Sequence, residues 1–151
     1  MYKRAMALTI ILLAQVIIIT MFSNQSAEKS AEISRNIMNK IEWVPDSIPR
    51  EKVPGDSRIT LHQIVRKLAH FYNFSLIGFL LMGIHITLRE KDEKAILLLG
   101  LGCLLAVFDE FHQRYIPGRS AEVADVLIDI IGVLFGMVFV KAIFGIVFAK
   151  R

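Results

Sequence analysis

Acids, an imidazole and two guanidinium groups crowd into FDEFHQRYIPGR, the stretch from Phe108 to Arg119, although it lies between two of the most apolar runs in the chain. Asp109 or Glu110 beside a histidine, whether His112 or the more distant His70, is the equipment of general acid–base chemistry, in which a carboxylate and an imidazole exchange a proton near neutral pH. No nucleophile stands out to accompany them. His70, Glu110, His112 and Asp125 also carry atoms that metals accept, but no tight ligand spacing such as HExxH is present, so no metal and no other cofactor is expected. Lys67 and Arg119, set among acids, suit a third kind of chemistry, the recognition of a phosphate or an amine by charge-assisted hydrogen bonds. A fourth reading is purely architectural: the same charges lock helix ends together and do nothing else.

The elements that must carry these residues are membrane spans. The chain has 151 residues, 54% of them hydrophobic, and a mean hydropathy of +0.53, above what a water-soluble domain of this length carries. Apolar runs at Ala5–Phe22, Leu68–Leu88, Ala95–Phe108 and Val123–Phe148 hold the excess. Each reaches or approaches the ~20 helical residues that cross a hydrocarbon core. Lys3 and Arg4 precede the first run as in a signal peptide, but the run is longer than such a segment needs and FSNQSA offers no small-x-small cleavage site, so a retained first span is expected. Cys103, the single cysteine, lies inside an apolar run, which rules out a disulfide scaffold. The net charge of +4 sits at the edges of apolar runs, which suits contact with anionic lipid and no nucleic-acid partner.

Helix signals refine the spans. Thr60-Leu-His-Gln63 reads as a capping box that starts a helix running to Leu88, about 43 Å long and therefore overhanging the membrane. Ala95–Phe108 alone is only about 21 Å, so the next helix is expected to continue to Ile116, where Pro117-Gly118 stops it. Ser120 is the expected N-cap of the last helix, with Glu122 in its first turn. The expectation is thus an all-α, single-domain bundle of four transmembrane helices, at about 5–22, 65–88, 95–116 and 121–148, with an extramembrane loop at 23–59. In that loop Ile33, Ile37 and Ile41 recur every four residues, predicting a short amphipathic helix before Pro45, Pro49 and Pro54.

Four spans place both termini on one side. Lys3-Arg4, the Arg89–Lys94 turn and Lys150-Arg151 assign that side to the cytoplasm, although the opposite face holds more basic residues in total. The second helix then begins, the third ends and the fourth begins at the extracytoplasmic rim. Arg66, Lys67 and His70, then Asp109, Glu110, His112 and Gln113, then Arg119, Glu122, Asp125 and Asp129 can meet there. Spacing sets their direction: Gly102, Ala106, Asp109 and Gln113 share one helix face, and Asp125, Asp129, Gly132 and Gly136 share another, so both sets of acids should face the bundle. Arg66, Lys67, Arg114 and Arg119 are the expected counter-charges. His62 and His85 read as interface residues and Lys141 as a snorkelling one.

KLAHFYNFSLIGFLL (Lys67–Leu81) and DEFHQRYIPGRSAEVADVLIDIIGVLFG (Asp109–Gly136) resemble the two signature segments of the VanZ-like family of bacterial membrane proteins. FSNQSAEKSAEIS (Phe22–Ser34) is similar to that family's F-S-x-Q segment after the first span. The resemblance implies a four-span envelope protein, with family members linked to teicoplanin resistance, and carries no established mechanism. The matching positions are Ser23, Gln25, Lys67, His70, Asp109, Glu110, His112, Gln113, Pro117, Gly118, Arg119 and Asp125. The family often has a glutamate three residues after the histidine of the second helix, where this chain has Asn73. The expected partners are membrane lipids and a polar envelope ligand: a lipid headgroup, a cell-wall precursor or a glycopeptide. The alternative is an intramembrane enzyme acting on a lipid or cell-wall intermediate.

Overall fold

A computed structural model describes residues 2–38, 40, 60–89, 91, 93–119 and 121–148. They form five helices and no strand: α1 (Tyr2–Ser23), α2 (Ala27–Met38), α3 (Leu61–Leu88), α4 (Glu93–Gln113) and α5 (Val123–Phe148). All but α2 are long and apolar enough to cross a membrane. Ile10, Leu104 and Val138 on three of these helices stay exposed, as expected where lipid tails replace water against the outer surface. Thr and Ser hydroxyls on the spans bond back to the preceding turn, Thr9 to Ala5 O at 2.9 Å, Ser75 to Phe71 O at 2.6 Å and Thr87 to Gly83 O at 2.7 Å, so these three are not left bare in hydrocarbon.

The α3–α5 pair is the spine of the bundle. Its helices approach closely because glycines stand at the crossing. A Cβ on Gly132 would lie 2.7 Å from Phe71 O, one on Gly136 would overlap Ser75 O, and one on Gly78 of α3 would overlap Val133 O in return. This is the small-residue contact expected of Gly132 and Gly136. Phe74, Ile77, Val133, Met137 and Val140 fill the spine, and Ala106 of α4 and Ile19 of α1 close the core from either side.

The capping box at Thr60 forms as the sequence predicts. Thr60 Oγ1 accepts from Gln63 N at 3.4 Å and Gln63 Oε1 accepts from Thr60 N at 2.9 Å. Thr60→Ala should cost about 1 kcal/mol, read as a lowered midpoint of thermal unfolding in detergent. At the other end of α3, Arg89 takes a left-handed conformation (φ 54°), and its N–H bonds to His85 O and Ile86 O.

Three boundaries differ from the sequence reading. α4 ends at Gln113 and not at Ile116, because Tyr115 N and Ile116 N bond to His112 O and Gln113 O in tight turns that lead into Pro117-Gly118. The helix recovers its length by starting earlier, at Glu93 inside the charged turn, and its 21 residues still give about 31 Å. α5 starts at Val123, with Asp125 N and Val126 N bonding to Glu122 O; the predicted cap Ser120 lies outside the described residues. α2 takes up the amphipathic helix through Ile33 and Ile37, whereas Ile41 lies outside the described residues. Its first residue rests on the α4–α5 turn, Ala27 N donating to Pro117 O at 3.3 Å. Gly118 (φ +76°) allows that contact, since a side chain there would crowd the Ala27 Cβ at 3.0 Å.

Candidate functional site

The polar residues converge at one end of the bundle, where α1 and α4 end and α3 and α5 begin. α3 contributes one face of charge. Arg66 Nη2 donates to Asp125 Oδ2 at 3.0 Å and approaches Glu122 Oε1 at 3.5 Å; Lys67 Nζ donates to Glu122 Oε2 at 3.2 Å and also to Asp125 Oδ1. Asp125 is 1% exposed, so two cations converge on one buried carboxylate.

One turn deeper, His70 Nδ1 stands 3.2 and 3.3 Å from the two oxygens of Asp129, which is completely buried.

A second chain of contacts runs through α1, α4 and the turn after it. Ser23 Oγ donates to Asp109 Oδ1 at 2.5 Å, Gln113 Nε2 donates to Asp109 Oδ2 at 2.8 Å, and Arg119 Nη1 donates to Gln113 Oε1 at 2.8 Å. The order is chemically directed. Arg119 has no acceptor, so Gln113 must turn its carbonyl toward it and its NH2 toward Asp109, which accepts only as a carboxylate. Burial, with the nearby charge of Arg66, pushes the Arg119 guanidinium below its ordinary value, although acids around it oppose the shift. Glu110 braces α5 from across the bundle, its Oε1 accepting Glu122 N at 2.6 Å.

Of the residues singled out from sequence, Lys67, His70, Asp109, Glu110, Gln113, Arg119 and Asp125 meet in this cluster. His112 does not join its buried part: its Nε2 meets Asn24 Oδ1 at 2.7 Å on the outer side. Arg114, an expected counter-charge, stays exposed. His85, in the last turn of α3, is buried. The side chain of His62 lies outside the described residues. Asn73, at the position where the family often has glutamate, accepts from Gln15 Nε2 at 3.0 Å and ties α3 to α1.

Two residues gain weight that spacing alone did not give them. Asp129 was placed on the bundle face by its distance from Gly132 and Gly136, but its partner His70 lies 59 residues away in sequence. Ser23 matched only a loop motif, and its link to Asp109 joins residues 86 apart.

Asp109 also borders a cavity of about 310 Å³ between α1, α3 and α4. Ile19, Phe74, Ile77, Leu105 and Phe108 make its walls, and Asp109 and His112 form its polar end. Phe108 at its rim is exposed.

Comparison with known proteins shows that a family model described as VanZ/LLP1 matches residues 8–145. No curated protein and no solved structure matches. That match takes in most of α1, the polar end of the bundle and nearly all of α5, and with it the chain belongs to the VanZ-like family.

Proposed function

We propose that this VanZ-like membrane protein binds an amphiphilic envelope ligand, its polar part at the charged end of the bundle and its apolar part in the crevice between α1, α3 and α4. The observation that carries this reading is the crevice itself: apolar walls leading to Asp109 and His112, with Arg119 linked to Asp109 through Gln113. A purely architectural ion network needs no such space. Lipid headgroups, lipid-linked cell-wall precursors and lipid-bearing glycopeptides share the required chemistry, a charged group joined to a hydrocarbon chain. The charged end is extracytoplasmic and both termini are cytoplasmic in this proposal, a topology supported by Lys3-Arg4 and the short basic turn at Arg89–Lys94. Protection against teicoplanin-type glycopeptides follows if such a ligand is the antibiotic or its cell-wall target.

The test is retention of bound amphiphile by protein purified in mild detergent, followed by mass spectrometry. Envelope lipid, a lipid-linked cell-wall precursor and teicoplanin are offered in turn. Leu105→Trp, which fills the crevice, and Arg119→Ala, which removes the cation linked through Gln113 to Asp109, should each lower retention of the preferred ligand about tenfold, the ~1.4 kcal/mol of one good polar or apolar contact. Unchanged retention in both folded variants rejects the proposal.

A second reading, an intramembrane enzyme, is favoured by His70 against Asp129 and by the Ser23 hydroxyl on Asp109. Incubation with envelope lipids should then yield a changed product, and absence of turnover across a broad lipid panel removes that reading.

A further inference from the structure

We propose that His70 of α3, Asp109 of α4 and Asp129 of α5 together hold one divalent transition-metal ion, zinc or manganese, at the inner edge of the charged cluster. One ligand atom from each of the three lies within 4.8 Å of the others. Spacing along the chain does not show this set, because each residue comes from a different helix.

The His70–Asp129 distances suit a coordination edge as well as a long hydrogen bond. His70 Nδ1 stands nearly equidistant from both oxygens, at 3.2 and 3.3 Å, where a single charge-assisted bond would favour one of them. Nitrogen and oxygen ligands each about 2.1 Å from one ion are separated by roughly 3.0–3.4 Å, for angles between octahedral and tetrahedral. The observed separations fall in that interval.

Charge points the same way. Among the described residues Asp109, Glu110, Glu122, Asp125 and Asp129 face only Arg66, Lys67 and Arg119 as fixed cations, and Arg66 and Lys67 are spent on Glu122 and Asp125. Among the described residues Asp109 has neutral donors, Ser23 and Gln113, and the partner of Asp129 is His70, a cation only when protonated. Negative charge left uncompensated at this burial is costly, and a dication offsets it. Glu110 gives an independent sign. It is 4% exposed, it neighbours Asp109 in the chain, and among the described residues its Oε2 has no hydrogen-bond partner.

The surroundings are those of a coordination site. Ser23 and Gln113 fix the orientation of the Asp109 carboxylate while leaving each oxygen a further lone pair, the supporting role that outer donors play around metals. One imidazole and two carboxylates suit zinc or manganese better than copper or calcium. Asp109 borders the crevice, which gives an ion, and any anionic group it polarises, a route in.

This inference does not rest on amphiphile binding, and the two are separable. The full chain, purified in detergent with chelator-washed buffers, is equilibrated with Zn²⁺ alone or Mn²⁺ alone, freed of excess ion by gel filtration and assayed by elemental mass spectrometry. Wild type should keep one ion per chain. Asp129→Asn and His70→Asn should lower that content at least tenfold, while Gly100→Ala, where an added Cβ meets nothing within 4 Å, leaves it unchanged. Helical circular dichroism and a single elution peak check the fold. Wild-type protein that keeps neither ion overturns the proposal, as do folded Asp129→Asn and His70→Asn proteins that keep the wild-type content. Should those variants not fold, pulsed electron paramagnetic resonance of wild type with Mn²⁺ decides: coupling to a histidine nitrogen is expected, and bound manganese without it overturns the assignment.

Discussion

Gly136→Val should cost more than about 3 kcal/mol, the upper end of overpacking penalties, and a large fraction of the total stability of a domain this size. The added side chain would occupy the place of the Ser75 carbonyl oxygen and stand 2.7 Å from Phe79 N. Both are backbone atoms of α3, so no rotamer change relieves the overlap. The helices must separate, and the same crossing carries Gly132 against Phe71 and Gly78 against Val133. Loss of the α3–α5 contact also breaks the register of His70 with Asp129 and of Arg66 and Lys67 with Asp125. Gly100→Ala is the matched control, since a Cβ there meets nothing within 4 Å. It should be neutral or slightly stabilising through helix propensity. Thermal unfolding in detergent, followed by circular dichroism, measures both; a Gly136→Val midpoint equal to wild type would show that the crossing is looser than described.

Asp125→Ala has the second largest expected effect, about 3–5 kcal/mol, the loss seen when one partner of a buried ion pair is removed. The Arg66 and Lys67 side chains are 15% and 23% exposed, and without Asp125 the acid that still meets both among the described residues is Glu122, which is 36% exposed. Removing the cations as well should restore much of the loss. Arg66→Met and Lys67→Met in the Asp125→Ala background leave no orphan charge, and the cycle of single and combined variants isolates the interaction. A loss below about 1 kcal/mol for Asp125→Ala alone would mean that the cations find water or lipid phosphate instead, as exposed pairs do.

The spans were legible because length and hydropathy are one-dimensional properties, and the Thr60 cap because its partners are three residues apart. The direction of Asp109, Gln113, Asp125 and Asp129 was legible for a related reason. Each shares a helical stripe with small residues, Gly102 and Ala106 or Gly132 and Gly136, and small residues mark where helices touch. What stayed hidden depends on contacts between stripes. Nothing in the spacing says that Ser23 reaches Asp109, that Asp129 and not Asp125 receives His70, or that Gly78 answers Gly132 and Gly136 from the facing helix. The end of α4 was misplaced because the expected stop at Ile116 followed from bilayer thickness and Pro117 alone. The chain instead satisfies the same thickness by beginning within the charged turn, where Glu93 is tolerated at a helix N-terminus.

Gln15, Ile19 and Ser23 are buried at intervals of four along α1, so they lie on one stripe. The Gln15–Asn73 hydrogen bond therefore sets the rotational phase of the whole first helix, two turns before Ser23 arrives at Asp109. A single residue inserted between Gln15 and Ser23 would swing everything beyond it by about 100°, carrying the Ser23 hydroxyl away from its carboxylate. Chain length between those two positions is thereby as tightly prescribed as the identity of the residues themselves, and an amide tether near the middle of a greasy rod acts as the index mark from which the polar end is counted.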